Sequence, residues 1–203
     1  MQQPLILAFD TSTASCDVAL LRGHEVIAER SEPMAKGQAE RLLSLCQEVM
    51  AQVGTQPSDL TAIGVGIGPG NFTGIRISVS AARGLALGLG IPAVGVSAFQ
   101  ALGFGANAPF ACAIDARRDQ LYLQCFDKTG AKSDPELLEP FAPLKHDGPL
   151  IGHGGCAPAF SAAVAIAHVA REKFGTTKDR PAPLYIRPAD AAPARDAPPK
   201  ILT

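Results

Sequence analysis

The run Gly64-Val-Gly-Ile-Gly-Pro-Gly-Asn-Phe-Thr-Gly-Ile-Arg76 restricts the fold more than any other stretch of this chain. An apolar strand passes through a glycine-rich turn straight into a helix, a connection typical of sheets with helices packed on their faces. Backbone N–H groups left open at a helix N-terminus form a ready anion site. The residues that complete a standard phosphate loop are nevertheless missing. A G-x-G-x-x-G fingerprint starting at Gly66 meets Asn71 at its third glycine, and one starting at Gly64 meets Pro69. A Walker loop requires Gly-Lys-Ser/Thr, whereas this helix opens Phe72-Thr73-Gly74 without a lysine. Two readings follow. Asn71 and Thr73 cap the helix or bind a ligand, with Gly68, Gly70 and Asn71 as candidate anion or nucleotide contacts, or the turn is a tight strand-to-helix connection whose glycines permit close packing.

The flanking pattern gives a mixed sheet. Residues 5–9 form an apolar strand ending in Asp10-Thr11-Ser12-Thr13, and residues 16–21 and 25–31 complete an antiparallel meander. A carboxylate with hydroxyls at a strand end suits either a turn cap or a water-mediated Mg²⁺ and phosphate contact, so Asp10, Thr11 and Ser12 are candidate nucleotide contacts. Residues 38–53 carry helical periodicity, with Ala39, Leu42, Leu43, Cys46, Val49, Met50 and Val53 on one side and Leu45 widening the stripe. A strand over 60–67, a helix over 73–89 and a strand over 91–96 follow. On the second helix Gly74, Ser78 and Ala82 recur every four residues and predict a smooth groove for another helix, while Arg76 and Arg83 share a different face. Both helices either pack wholly on their own sheet or dock a partner.

The second half repeats the plan of the first. Residues 110–114 form a strand ending in Asp115, a polar turn through Arg117 and Arg118 follows, and residues 120–126 return as a strand. Two domains, 1–104 and 105–203, are the expectation, with the break in the Gly/Ala-rich stretch 104–108. Residues 131–149 are proline-interrupted and read as irregular, 157–174 as helical, and the tail after Ile186 as loose.

Of the 203 residues, 47% are apolar and 18% charged, with net charge −1, so no global field draws the chain to nucleic acid or anionic membrane. No apolar run reaches bilayer-spanning length, and Met-Gln-Gln-Pro lacks the pattern of a secretory signal, so a cytoplasmic protein is expected. The five scattered cysteines read as reduced core residues. His153 and Cys156 form an isolated H-x-x-C, and no His-x-x-x-His, H-E-x-x-H or G-x-S-x-G occurs, so neither a metal centre nor a catalytic residue is assigned.

Taken together, Leu7-Ala-Phe-Asp-Thr-Ser-Thr13, Gln38-Ala-Glu-Arg-Leu-Leu43, the Gly66–Arg76 turn, Ala113-Ile-Asp-Ala-Arg-Arg118 and Tyr185-Ile-Arg-Pro188 resemble the bacterial TsaB family, formerly YeaZ. The resemblance runs in order along nearly the whole chain. It implies an α/β fold of the actin/Hsp70/sugar-kinase (ASKHA) type, with two subdomains, each a mixed sheet flanked by helices. It also implies a non-catalytic dimerisation subunit that activates a TsaD-like subunit for threonylcarbamoyl transfer to tRNA. ATP and a divalent metal are then expected on the partner subunits, with a TsaE-like ATPase as a further partner, tRNA bound through the complex, a homodimer when alone and no membrane contact. The implied docking residues lie on the two helices: Arg41, Leu42, Leu45, Thr73, Arg76, Ile77, Ser80 and Arg83. Related sequences commonly carry His-Ser where this chain has Gln38-Ala39. The alternatives are a nucleotide-binding enzyme of the same fold, kinase or metallopeptidase, and a nucleotide-sensing module.

Overall fold

Strand β1 (Leu5–Asp10) is apolar on both faces because helices cover it from both sides, and all six of its residues are buried. The computed structural model describes residues 3–187. Strands β2 (Ser15–Arg22) and β3 (Glu25–Pro33) pair antiparallel beside β1. On its other edge β4 (Ala62–Gly66) and then β5 (Ala93–Val96) add in parallel, giving the order β3-β2-β1-β4-β5.

The strand period of two divides the core between the layers. Leu5, Leu7 and Phe9 join Ile63 and Val65 against helix α1 (Gln38–Gln52) and helix α2 (Phe72–Leu89). Ile6 and Ala8 face the opposite way, onto Ile166, Val169 and Ala170 of helix α4 (Ala162–Lys173). Between these lies the short helix α3 (Ala98–Leu102), not anticipated from the pattern. It starts with a capping box in which the Ser97 hydroxyl accepts the Gln100 N–H and the Gln100 side chain accepts the Ser97 N–H.

The second sheet is built on β6 (Phe110–Asp115) and β7 (Leu121–Asp127), an antiparallel pair in which Phe110 opposes and stacks on Phe126. Strand β10 (Leu150–Gly152) adds parallel to β6, and the short β8 (Gly130–Ala131) and β9 (Glu136–Leu138) pair with β7. The stretch 131–149 is therefore less irregular than its prolines suggest. The two mixed sheets with their helices form the ASKHA-type α/β architecture, and the β1–β2 and β6–β7 hairpins are the repeat visible in the sequence. The division at residue 104 separates the sheets along the chain but not the layers, because α4 belongs to the second half and lies on the first sheet. It also begins later than its composition indicates, at the N-cap Ser161, whose hydroxyl accepts the Val164 N–H. The proline-rich tail expected to be loose lies outside the described residues.

Leu42 and Leu45 belong to this core. Both were expected at a partner surface, yet they are 1% and 0% exposed, since α1 turns them onto β1 and β2 while Ala39 and Leu43 face outward. The extra width of the stripe reflects a helix wedged between a sheet and α2, each needing apolar cover. Leu45→Ala should accordingly destabilise the fold by about 3 kcal/mol through lost transfer energy and a residual cavity, read from the urea midpoint at unchanged m-value.

Candidate docking face and inter-sheet cleft

A cleft of about 1320 Å³ separates the two sheets. Its first wall is the end of β1 with the glycine turn, carrying Asp10, Ser12, Gly68, Gly70 and Asn71. The opposite wall is the end of β6 and the loop after β10, carrying Asp115, Arg117, Tyr122 and His153. Asp10 and Asp115 are thus brought to the same cleft by equivalent strand ends.

Asp10 is buried in the cleft wall. Its Oδ1 accepts the Ser12 N–H at 2.9 Å and its Oδ2 accepts the Ser12 hydroxyl at 2.8 Å. Gly66 has no side chain because a Cβ there would sit 2.5 Å from Oδ1. Burial pushes the carboxyl above its ordinary 3.8, against the pull of the Ser12 bonds and with a further push from Asp17 across the ladder. A carboxyl raised on folding favours the folded state below pH 3.8 and loses that contribution as pH climbs through the raised value. Asp10→Asn keeps the shape and removes the charge. It should raise the melting temperature at pH 7, with the gain shrinking as the pH is lowered toward 3.8, a trend two thermal scans at the two pH values would establish.

The glycine turn is tied to the β1–β2 turn. The Asn71 N–H donates to the Ser12 carbonyl at 2.7 Å, and the Asn71 side-chain oxygen accepts the Gly74 N–H at 3.0 Å, capping α2. The Thr11 hydroxyl donates to the Gly74 carbonyl at 2.7 Å. Capping by Asn71 is realised, and Gly68, Gly70, Asn71 and Thr73 also line the cleft. The same packing corrects the expectation for Gly74, Ser78 and Ala82: all three are buried, and Gly74 meets the Thr11 backbone instead of a partner helix. The stripe is small because the sheet end approaches closely, not because a second molecule does.

The outward face of α2 is a different set of residues. Thr73, Arg76, Ser80, Arg83, Gly84, Leu87 and Gly88 are exposed, Leu87 at 78%. Nothing lies within 4 Å of a Cβ built on Gly84 or Gly88. Two arginines are the only charges in the helix, and its exposed residues beyond Arg83, namely Gly84, Leu87 and Gly88, carry no polar side chain. Leu43 of α1 is also exposed, at 47%. The sequence groups Leu43 with the apolar stripe of α1 and does not single out Leu87, because helical spacing alone does not say which of several apolar stripes the sheet takes.

The remaining expected docking residues divide. Ile77 is half-buried against the first core. Arg41 is occupied within the chain: its Nε and Nη2 donate to Glu32 at 2.6 and 2.7 Å, and its Nη2 also donates to Glu48 at 2.8 Å. These bonds hold both carboxyls below their usual range. Arg76 is exposed but already engaged, its guanidinium 3.9 Å from the Phe72 ring centroid and its Nε donating to the Tyr185 hydroxyl at 3.1 Å. His153 and Cys156 are both exposed, and no group of three or more His, Cys, Asp or Glu side chains is arranged for a metal among the described residues. Nor, among those residues, is any helix long and apolar enough to cross a membrane.

Comparison with known proteins agrees with this architecture. Residues 26–145 match the family model described as TsaD, tRNA N6-adenosine threonylcarbamoyltransferase. The Escherichia coli protein named tRNA threonylcarbamoyladenosine biosynthesis protein TsaB is 38% identical over 122 residues, covering 58% of this chain and 52% of that protein, so the match spans about half of that relative's length. An uncharacterized Mycobacterium tuberculosis protein, Rv3421c, is 31% identical over 95% of this chain and 96% of its own. The crystal structure of an uncharacterized Pseudomonas aeruginosa protein, described as similar to peptidase YEAZ, superposes with a TM-score of 0.76 at 25% identity, covering 91% of this chain and all of that one. With the motifs, the two-sheet fold and these relatives in agreement, the chain belongs to the TsaB (YeaZ) family.

Proposed function

We propose that this chain takes part in tRNA threonylcarbamoyladenosine biosynthesis as a non-catalytic docking subunit. It binds a TsaD-type catalytic subunit through the α1–α2 face and enables that subunit to transfer a threonylcarbamoyl group to N6 of the adenosine beside the anticodon of ANN-decoding tRNAs. The observation that carries this reading is the outward side of α2, where Ser80, Gly84 and Gly88 let a second helix approach and Leu87 supplies an apolar anchor. The matched family model covers both helices, which supports a pairing of like with like in which each subunit offers the corresponding face. The same face closes a homodimer when the catalytic subunit is absent. ATP and a divalent metal then belong to the partners, including a TsaE-type ATPase, and tRNA is met through the complex. The name of the Escherichia coli relative supports the pathway.

The test is reconstitution. Co-expressed with a TsaD-type subunit, the chain should elute as a stoichiometric complex. Modification of tRNA should require both proteins, and Asp10→Asn should leave the rate within about twofold, as expected of a group that does not touch the reacting atoms. Modification by this chain alone, or loss of activity in Asp10→Asn with the complex intact, would falsify the reading.

A second reading, a nucleotide-binding enzyme or sensor, is favoured by the size of the cleft. Calorimetric titration of the lone chain with ATP and ADP separates the two, since saturable binding with one site per chain is expected only of the second.

A further inference from the structure

After α4 the chain runs without regular structure back over the mouth of the cleft, and four successive residues attach it to both walls. Pro181 is buried against β5, lying against Gly95, where a Cβ would meet the proline ring at 3.2 Å. The Leu184 N–H donates to the carbonyl of Ile67, just past β4, at 2.8 Å. Tyr185 stacks on Phe72 with ring centroids 4.9 Å apart and accepts the Arg76 Nε–H, so both contacts are to the first two turns of α2. The next two residues leave the first sheet. Ile186 packs into the apolar cluster of the second sheet with Phe110, Cys112 and Tyr122, and the Arg187 guanidinium donates to the side-chain oxygen of Gln120.

Gln120 ends the β6–β7 turn, which carries an unusual backbone. Arg117, Arg118 and Asp119 have φ of 63°, 55° and 59°, three consecutive non-glycine residues in the left-handed region. Each such residue costs on the order of 1–2 kcal/mol, so the turn persists only where its surroundings hold it. Arg187 bonds the residue that closes this turn, whose N–H donates to the Arg117 carbonyl and whose carbonyl accepts the Ala116 N–H. Arg117 lines the cleft.

The two sheets are also joined by covalent crossovers, 103–109 and 153–161. There Phe104 and Phe160 pack on each other and on His168 of α4, with centroids 5.0–5.7 Å apart. The sheets are therefore joined by two peptide segments, by α3, whose Ala98 N–H donates to the Gly68 carbonyl at 2.8 Å and whose Phe99 packs with Phe110 and Cys112, and by the strap. The strap is bound by few groups: a buried proline, one backbone bond, one stacked ring pair, one phenol–guanidinium bond, one apolar side chain and one guanidinium–amide bond.

We propose that residues 181–187 are a latch that sets the width of the inter-sheet cleft, with Tyr185 as its clasp on α2 and Arg187 as its clasp on the second sheet. Releasing either clasp lets the second sheet swing about the Phe104–Phe160 hinge and frees the 116–120 turn. Because Tyr185 fastens to Phe72 and Arg76 on the exposed side of α2, the latch is within reach of whatever covers that helix. The clasp itself is a property of the lone chain and stands whether or not the docking reading does.

Hydrogen exchange on the purified full-length chain, followed by mass spectrometry, tests it. In Tyr185→Ala, peptides covering 181–187 and 116–122 should both exchange about tenfold faster, the loss expected for one hydrogen bond plus one stacked pair. Peptides from β1 and β4 should be unchanged, which shows the fold intact. Tyr185→Phe, keeping the ring and losing the hydroxyl, should give a smaller increase at both places, and Arg187→Ala should affect 116–122 at least as strongly as 181–187. As a distance readout, spin labels on native Cys156 and on an introduced Gln47→Cys, with Cys125→Ser, should give a longer and broader distribution in Tyr185→Ala than in the parent. Faster exchange confined to 181–187 with 116–122 and the label distance unchanged would sink the latch, as would full unprotected exchange of 181–187 in the parent chain.

Discussion

Gly74→Ala is expected to be among the most damaging single-methyl changes in this protein, costing about 3–5 kcal/mol. A Cβ on Gly74 would lie 1.9 Å from the Thr11 carbonyl oxygen and 2.8 Å from its carbon. Both are backbone atoms, so no rotamer change relieves the clash. The turn cannot retreat either, because the Thr11 hydroxyl is bonded to the Gly74 carbonyl and the Ser12 carbonyl to the Asn71 N–H. Relief requires moving the end of β1, with buried Asp10, away from α2, and overpacking of this kind falls in the upper range of single-site effects. Gly84→Ala is the matched comparison on the same helix. Its Cβ enters open space, and replacing a mid-helix glycine should stabilise by about 0.5–1 kcal/mol. Urea titrations of the two variants should therefore move in opposite directions. A Gly74→Ala variant within 1 kcal/mol of the parent would show that the strand end and the helix are not locked together as described.

The second large effect concerns docking. Leu87→Asp should weaken association with a TsaD-type subunit about 100-fold while leaving the fold's stability unchanged. Leu87 is 78% exposed, so the isolated chain loses little packing, but in the proposed complex the new carboxylate would be desolvated between small residues without a partner. Phe141→Asp serves as the control. Phe141 is even more exposed, at 98%, but sits in a loop of the second sheet away from α1 and α2, and its replacement should not change the affinity. Titration calorimetry on the three proteins decides the matter. Equal losses in both variants would mean general apolar adhesion, and no loss in Leu87→Asp would remove α2 from the interface.

The elements themselves were largely legible because their signals are local. Alternating or continuous apolar runs marked β1, β2, β4, β6 and β7, and the 3.6-residue period marked α1 and α2 within a residue or two of their ends. The short α3 was missed because five residues give too little period to detect, and its real signal was the Ser97–Gln100 capping box. The site was legible in part. The equivalence of Asp10 and Asp115 at two strand ends is a repeat in the sequence, and it places them in one cleft. The assignment of faces was not legible. Leu45 and Leu43 are both leucines on one helix, and Ser78 and Ser80 are both serines on another, yet one of each pair is buried and the other exposed. Periodicity names the stripes of a helix, but the layer that covers each stripe comes from remote parts of the chain.

The sequence alone determined the strand–turn–helix order, the doubled hairpin plan and the absence of a lysine from the glycine turn, since each depends on residues within a few positions of one another. Tertiary structure decided which stripe of α2 meets the sheet, that the β1–β2 turn packs against the first turn of α2, and that Tyr185 reaches Arg76 across 109 residues of chain. Those outcomes depend on pairing between distant segments, whose free energy is gained only when the whole sheet has assembled.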